Sequence, residues 1–135
     1  MNFASIRIIT GDVGRLVAFY ERVSGKAARW STPDFAEVAF ESGTLAIGST
    51  RTVGLFGAGS AEAGANRSVI VEFIVDDVDA RYAELSEWLE EVVTPPTTMP
   101  WGNRALLFRD PDGNLVNIFT PVTEEAVAKF VAVLR

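Results

Sequence analysis

The chain contains neither cysteine nor histidine. The first absence excludes disulfides, thiolate zinc sites and a cysteine nucleophile; the second excludes imidazole metal ligands, Ser-His-Asp triads and a histidine general base. Basic residues are scarce as well. Twelve Lys and Arg against 18 Asp and Glu leave a net charge of −6, which argues against nucleic acid as a partner, because such binding is driven by cations neutralising phosphates. No apolar run approaches the roughly 20 residues that span a bilayer, and the start of the chain lacks a basic segment followed by an apolar core. A cytoplasmic protein with no membrane partner is the expectation. Gly11, Gly14 and Gly25 lack dinucleotide-loop spacing, and no phosphate loop is found.

What is present is an ordinary globular mixture. The 135 residues are 48% hydrophobic and 22% charged, enough for a single domain that buries roughly two thirds of its unfolded surface. Residues 3–10 form an Ile-rich strand with Ala4, Ile6 and Ile8 on one face and Ser5, Arg7 and Ile9 on the other. Asp12 caps a helix in which Val13, Leu16, Val17, Tyr20 and Val23 recur at helical spacing, Gly25 suits its exit, and the helix is expected to cover the Ile face. Residues 27–31, 35–41 and 44–49 read as three further strands, and residues 52–56 as a continuation of the last.

The order then repeats. After a Gly, Ala and Ser connector at 57–66, residues 68–75 form a strand and Asp77 caps a second helix with the stripe Val78, Tyr82, Leu85 and Leu89. A shift of 65 aligns Asp12 with Asp77 and Val13 with Val78, and strands follow at 92–98, 103–108 and 115–120. This is an internal duplication of a βαβββ unit. The predicted layout is module 1 at about 1–56, linker 57–66, module 2 at about 67–122 and a final helix at 123–135 with apolar positions Val127, Phe130, Val131 and Leu134.

The strongest local signal is the hairpin Asp110-Pro111-Asp112-Gly113-Asn114, where Pro111 pre-sets φ and Gly113 permits the positive φ of the reversal. With Pro100-Trp101-Gly102-Asn103-Arg104 before it, and Gly11-Asp12-Val13 through Phe19-Tyr20-Glu21 near the start, it resembles the glyoxalase, bleomycin-resistance protein and extradiol dioxygenase superfamily. The resemblance spans nearly the whole chain. It implies an α+β fold: two βαβββ modules form a curved mixed, largely antiparallel sheet around a ligand-holding cleft, with a C-terminal helix added here and homodimerisation common.

Metal-dependent members place one His, Glu or Gln ligand on the first and last strand of each unit. Carried over, those places hold Ser5, Ala46 or Ile47 depending on register, Ile70 and Asn117. None is a normal strong ligand for a first-row divalent metal, so no metal and no cofactor are expected. The remaining candidates for ligand contact are Arg7, Trp30, Phe35, Glu72, Trp101, Arg104 and Asn117. Aromatics at a cleft rim stack on planar ligands, and an arginine grips carboxylate or phosphate bidentately; ordinary packing is the plainer account of each residue alone. Arg7 and Glu72 are matched by the shift of 65, and the plainer account of that match is a structural ion pair where the units meet. Trp88 reads as packing or interface, and Glu84, Glu87, Glu90 and Glu91 as a solvated face.

The resulting expectation is a metal-independent protein that binds a small organic ligand, similar to bleomycin-resistance proteins, with an acidic surface favouring cationic ligands. One alternative is a glyoxalase- or dioxygenase-type enzyme with a divergent metal site, such as Glu72 with Glu37 or Glu41. An interaction module without a ligand is the third.

Overall fold

The computed structural model describes residues 1–131. The chain divides into two compact units, residues 1–66 with 111–113, and residues 67–110 with the chain from 114 on. No helix among the described residues is long and apolar enough to cross a membrane.

In the first unit, β1 (Ser5–Thr10), α1 (Val13–Ser24), β2 (Arg29–Thr32), β3 (Phe35–Phe40) and β4 (Gly43–Ser49) form a four-stranded sheet of order β1-β4-β3-β2 with one helix. β1 runs parallel to β4, and the other pairings are antiparallel. Asp12 caps α1 by accepting from the Arg15 amide at 3.1 Å, and Gly25, in the left-handed region at φ 71°, ends it. Val13, Leu16, Val17, Tyr20 and Val23 are all buried, as their spacing predicts. Below the helix lie Ala36, Val38, Leu45 and Ile47, each 5% exposed or less. Burial of that order is worth about 1.5–3 kcal/mol per large aliphatic side chain.

Two details differ from expectation. The helix centres on β3 and β4; Ile6 and Ile8 share its face as the register partners of Leu45 and Ile47, but β1 is an edge strand and Ile6 stays 37% exposed. Residues 52–56 do not extend β4. They follow a 3₁₀ turn (Thr50–Thr52) as a short helix, α2 (Val53–Phe56), because Ser49 bends the chain: its hydroxyl accepts from the Arg51 amide at 3.2 Å, and the Thr52 hydroxyl donates back to the Ser49 carbonyl at 2.7 Å.

The second unit repeats the plan. β5 (Ile70–Ile74), α3 (Val78–Leu85), β6 (Val92–Thr98), β7 (Asn103–Arg109) and β8 (Leu115–Pro121) form a sheet of order β5-β8-β7-β6. Again the first strand is parallel to the last. Asp77 caps α3 through the Ala80 amide at 3.1 Å, with φ −145° and ψ 97° against −142° and 92° at Asp12. The duplication therefore extends to the cap geometry. Val78, Leu85 and Leu89 are buried; α3 packs against β6, β7 and β8, whose Leu106, Phe108, Val116 and Ile118 are 1% exposed or less.

The last helix, α4 (Glu124–Phe130), is capped by Thr123. Its buried face is the expected one only at Phe130. Ala126 is buried and the Phe130 ring meets Phe119 edge-on at 5.3 Å, whereas Val127 and Val131 are 39% and 52% exposed. The helix is turned this way because Thr123 and Ala126 lie against Gly102. Leu134 lies outside the described residues.

Candidate functional site

Strand register decides which side chains share a face. In the first sheet Arg7 partners Ala46, Ala46 partners Glu37, and Glu37 partners Arg29. These side chains stand on the face away from α1. Ile47 belongs to the helix-covered face, so the place left open between Ala46 and Ile47 falls to Ala46.

Arg7 is the centre of this open face. Its guanidinium carbon lies 4.5 Å from the ring centroid of Phe35 and 5.0 Å from that of Phe56, distances at which the negative ring face attracts a cation. Gly48, the partner of Phe35, supplies the space: a Cβ there would come 3.1 Å from the Thr52 hydroxyl and 3.6 Å from the Phe35 ring.

Phe56 is brought to Arg7 by a polar clip. Asp34, at the β2–β3 turn, accepts from the Ser49 hydroxyl at 2.9 Å and from Arg51 Nε at 2.8 Å, while its carbonyl accepts from the Ser49 amide. The Arg51 hydrogen bond, and after it the one from Ser49, holds the Asp34 carboxyl below its ordinary range. The sign follows from linkage: a carboxyl with a lowered folded-state pKa stabilises the fold above its unfolded value and loses that contribution as pH falls through the folded one. The stability advantage of the native chain over Asp34→Asn should accordingly be full at neutral pH and shrink below pH 3.8. Denaturant midpoints measured across that range check it; an advantage independent of pH would show that the clip carries no load. The pair is solvent-screened, so the effect is small.

In the second sheet Glu72 partners Asn117, and Asn117 partners Leu107, again on the face away from the helix. The Asn117 amide donates to Glu72 Oε2 at 2.8 Å, and its Oδ1 is buried with no hydrogen-bond partner among the described residues. Arg7 and Glu72 thus stand in separate units, and each takes a partner inside its own.

The other candidates are placed elsewhere. Arg104 partners Thr120 on the α3 side, where Nε and Nη2 bind the two carboxylate oxygens of Asp79 at 2.8 and 3.0 Å. That fork holds the Asp79 carboxyl below its ordinary range and raises Arg104; the guanidinium is committed to α3, on the opposite side of the sheet from Asn117. Trp30 partners Ala36, a residue of the helix-covered face, and so lies across the first sheet from Arg7 and Phe35. Trp101 is 68% exposed in the turn between β6 and β7. Sequence reading missed Phe56 and the Asp34 clip. The available signal was Ser49, a capping residue just after a strand and ahead of Val53-Gly54-Leu55-Phe56.

A divalent metal does not fit the places used by metal-dependent relatives. Ala46 and Ile70 carry no donor, Ser5 offers one hydroxyl, and Asn117 offers one neutral amide oxygen, its side-chain nitrogen being held by Glu72. Among the described residues no three His, Cys, Asp or Glu gather into a group able to hold a metal ion.

A family model described as the glyoxalase/bleomycin resistance protein/dioxygenase superfamily matches residues 2–118. A protein of Bacillus subtilis (strain 168), the uncharacterized protein YraH, is 30% identical over 125 residues, which are 88% of this chain and 98% of that protein. Among solved structures, a glyoxalase/bleomycin resistance protein/dioxygenase family enzyme from Burkholderia phytofirmans PsJN superposes with a TM-score of 0.78 at 19% identity, covering 88% of this chain and 98% of the other. At that identity the likeness speaks to fold alone. A protein of unknown function from Agrobacterium tumefaciens str. C58 superposes at 0.74 with 27% identity, covering 89% and 94%.

Proposed function

The chain belongs to the glyoxalase/bleomycin resistance protein/dioxygenase superfamily, and from that premise we propose that it encloses a small organic molecule without the aid of a metal and without converting it. The observation that carries the proposal is the chemistry at the four metal places, Ser5, Ala46, Ile70 and Asn117. An open catalytic metal site needs about three protein ligands, and two of these four side chains have no donor atom. Sequestration, by contrast, requires only walls and a few placed polar groups. The open face of the first sheet offers Arg7 and Phe35, and that of the second offers Glu72 and Asn117.

The rival is an enzyme whose metal is held by other carboxylates. Glu37 is half-buried on the rung of Arg7, Glu41 is exposed after β3, and Glu72 is already hydrogen-bonded by Asn117. Elemental analysis of purified protein separates the two readings. We expect substoichiometric metal, and thermal stabilisation by an organic compound in metal-free buffer. One tightly bound divalent ion per chain would overturn the proposal in favour of the enzyme, and a chain stabilised by no compound in a broad screen would favour an interaction module. Homodimerisation is part of the same reading, and sedimentation as a monomer at micromolar concentration would count against it.

A further inference from the structure

We propose that Arg7 is the anchor for a carboxylate of the bound molecule, an inference that rests on the small-molecule reading above and names its chemical class. Arg51 and Arg104 are tied to carboxylates, Asp34 and Asp79. Arg7 has none. Among the described residues its side chain takes part in no hydrogen bond or ion pair, only in the two ring contacts at 4.5 and 5.0 Å. A guanidinium carries five N–H donors in a planar fork that matches carboxylate geometry. Aromatic rings hold the cation in place while using none of those donors, which leaves the fork pre-organised and unpaired.

The surroundings select the anion. Ala46, beside Arg7 on the same rung, contributes only a methyl group, so the fork is not crowded from that side. Glu37 follows on the far side of Ala46 and on the same face, with Arg29 as its neighbour. A nearby carboxylate tolerates a singly charged guest better than a doubly charged phosphate, because the repulsion scales with the charge. The net charge of −6 had pointed to cationic ligands. Net charge acts on long-range approach and is screened beyond about 10 Å, whereas the unpaired fork decides what is held at contact.

Three probes of one shape test the assignment: benzoate, its neutral counterpart benzamide, and phenyl phosphate. Binding is followed by the ¹⁵N side-chain Nε resonances of arginine, with the Arg7 signal identified by its loss in Arg7→Lys. Benzoate should shift that resonance and bind at least about tenfold more tightly than benzamide, and Arg7→Met should weaken it by about tenfold or more. Phe56→Leu, at a residue 67% exposed and so tolerant of change, should weaken it less. No benzoate binding, binding unaffected by Arg7→Met, or benzamide binding as tightly as benzoate would each overturn the assignment, and binding of phenyl phosphate alone would overturn the choice of carboxylate. Each of these failures leaves the metal analysis untouched, so the broader reading stands or falls separately.

Discussion

Replacing Gly102 with alanine should lower the unfolding free energy by about 2–5 kcal/mol. Two independent penalties meet at this position. Its φ is 94°, in the region where a Cβ crowds the backbone at a cost of about 1–2 kcal/mol. A Cβ would also run into the Thr123 hydroxyl and come within 3.0 Å of its methyl and 3.1 Å of the Ala126 Cβ, an overpacking that costs about 1–3 kcal/mol. The neighbour has little freedom to yield. Thr123 caps α4 through the Ala126 amide at 3.2 Å, and the Val122 and Thr123 amides both bond the Gly102 carbonyl, at 2.9 and 3.3 Å. Denaturant unfolding measures the loss, and Thr123→Ala supplies the control. That variant alone forfeits a helix cap worth about 1 kcal/mol, but in the double variant it removes the obstructing side chain, so the double loss should be smaller than the sum. A Gly102→Ala protein as stable as the native chain would show that α4 does not rest on this turn.

That contact marks the limit of what was legible in the sequence. Asp12 and Asp77 announce their helices because a cap is local chemistry: the side chain, its amide partner and the apolar stripe all lie within one or two turns. The turn of α4 depends instead on Gly102, twenty-odd residues earlier, and Val127 and Val131 have as good a helical spacing as Ala126 and Phe130. Periodicity alone offers two faces there. Tertiary contact selects one.

The site divides the same way. Arg7 and Phe35 were each legible as candidates, Arg7 through the shift of 65 that matches it to Glu72 and Phe35 as an aromatic beside the Thr32-Pro33-Asp34 turn, but their contact depends on the β1-β4-β3 register. Arg104 was misplaced because its partner, Asp79, lies 25 residues away, and nothing local indicates that this arginine faces α3. Trp30 precedes a register irregularity in the β2–β3 pairing, where counting alternate residues stops being a guide to the face. Phe56 was assigned to a strand because four residues with three apolar side chains fit either a strand or a helical turn. Only the Ser49, Thr52 and Asp34 hydrogen bonds decide it.

Where local chemistry and burial coincide, the expected effect is again large, and the hairpin after β7 is the case. Asp110 and Asn114 are 5% and 3% exposed. One Asp110 oxygen accepts from the Asn114 amide at 3.0 Å, the other from its side-chain nitrogen at 2.8 Å, and the Asp110 amide donates to the Asn114 carbonyl at 3.0 Å. The turn is thereby closed by a ring of three hydrogen bonds around Pro111, Asp112 and Gly113, the last at φ 84°. Asp110→Ala removes two charge-assisted bonds from Asn114. A bond to a charged group is worth about 1.5–3 kcal/mol, and the two overlap, so a net loss of about 2–5 kcal/mol is expected. Asp110→Asn keeps one acceptor oxygen and should lose less. Asn114→Ala leaves the carboxylate buried with fewer donors and should hurt on its own, whereas adding it to Asp110→Ala should cost little more, because the pair is already broken. Urea unfolding of the four proteins measures the coupling. Strictly additive losses would mean that the two side chains stabilise the turn independently, and that Pro111 and Gly113 hold the reversal without them.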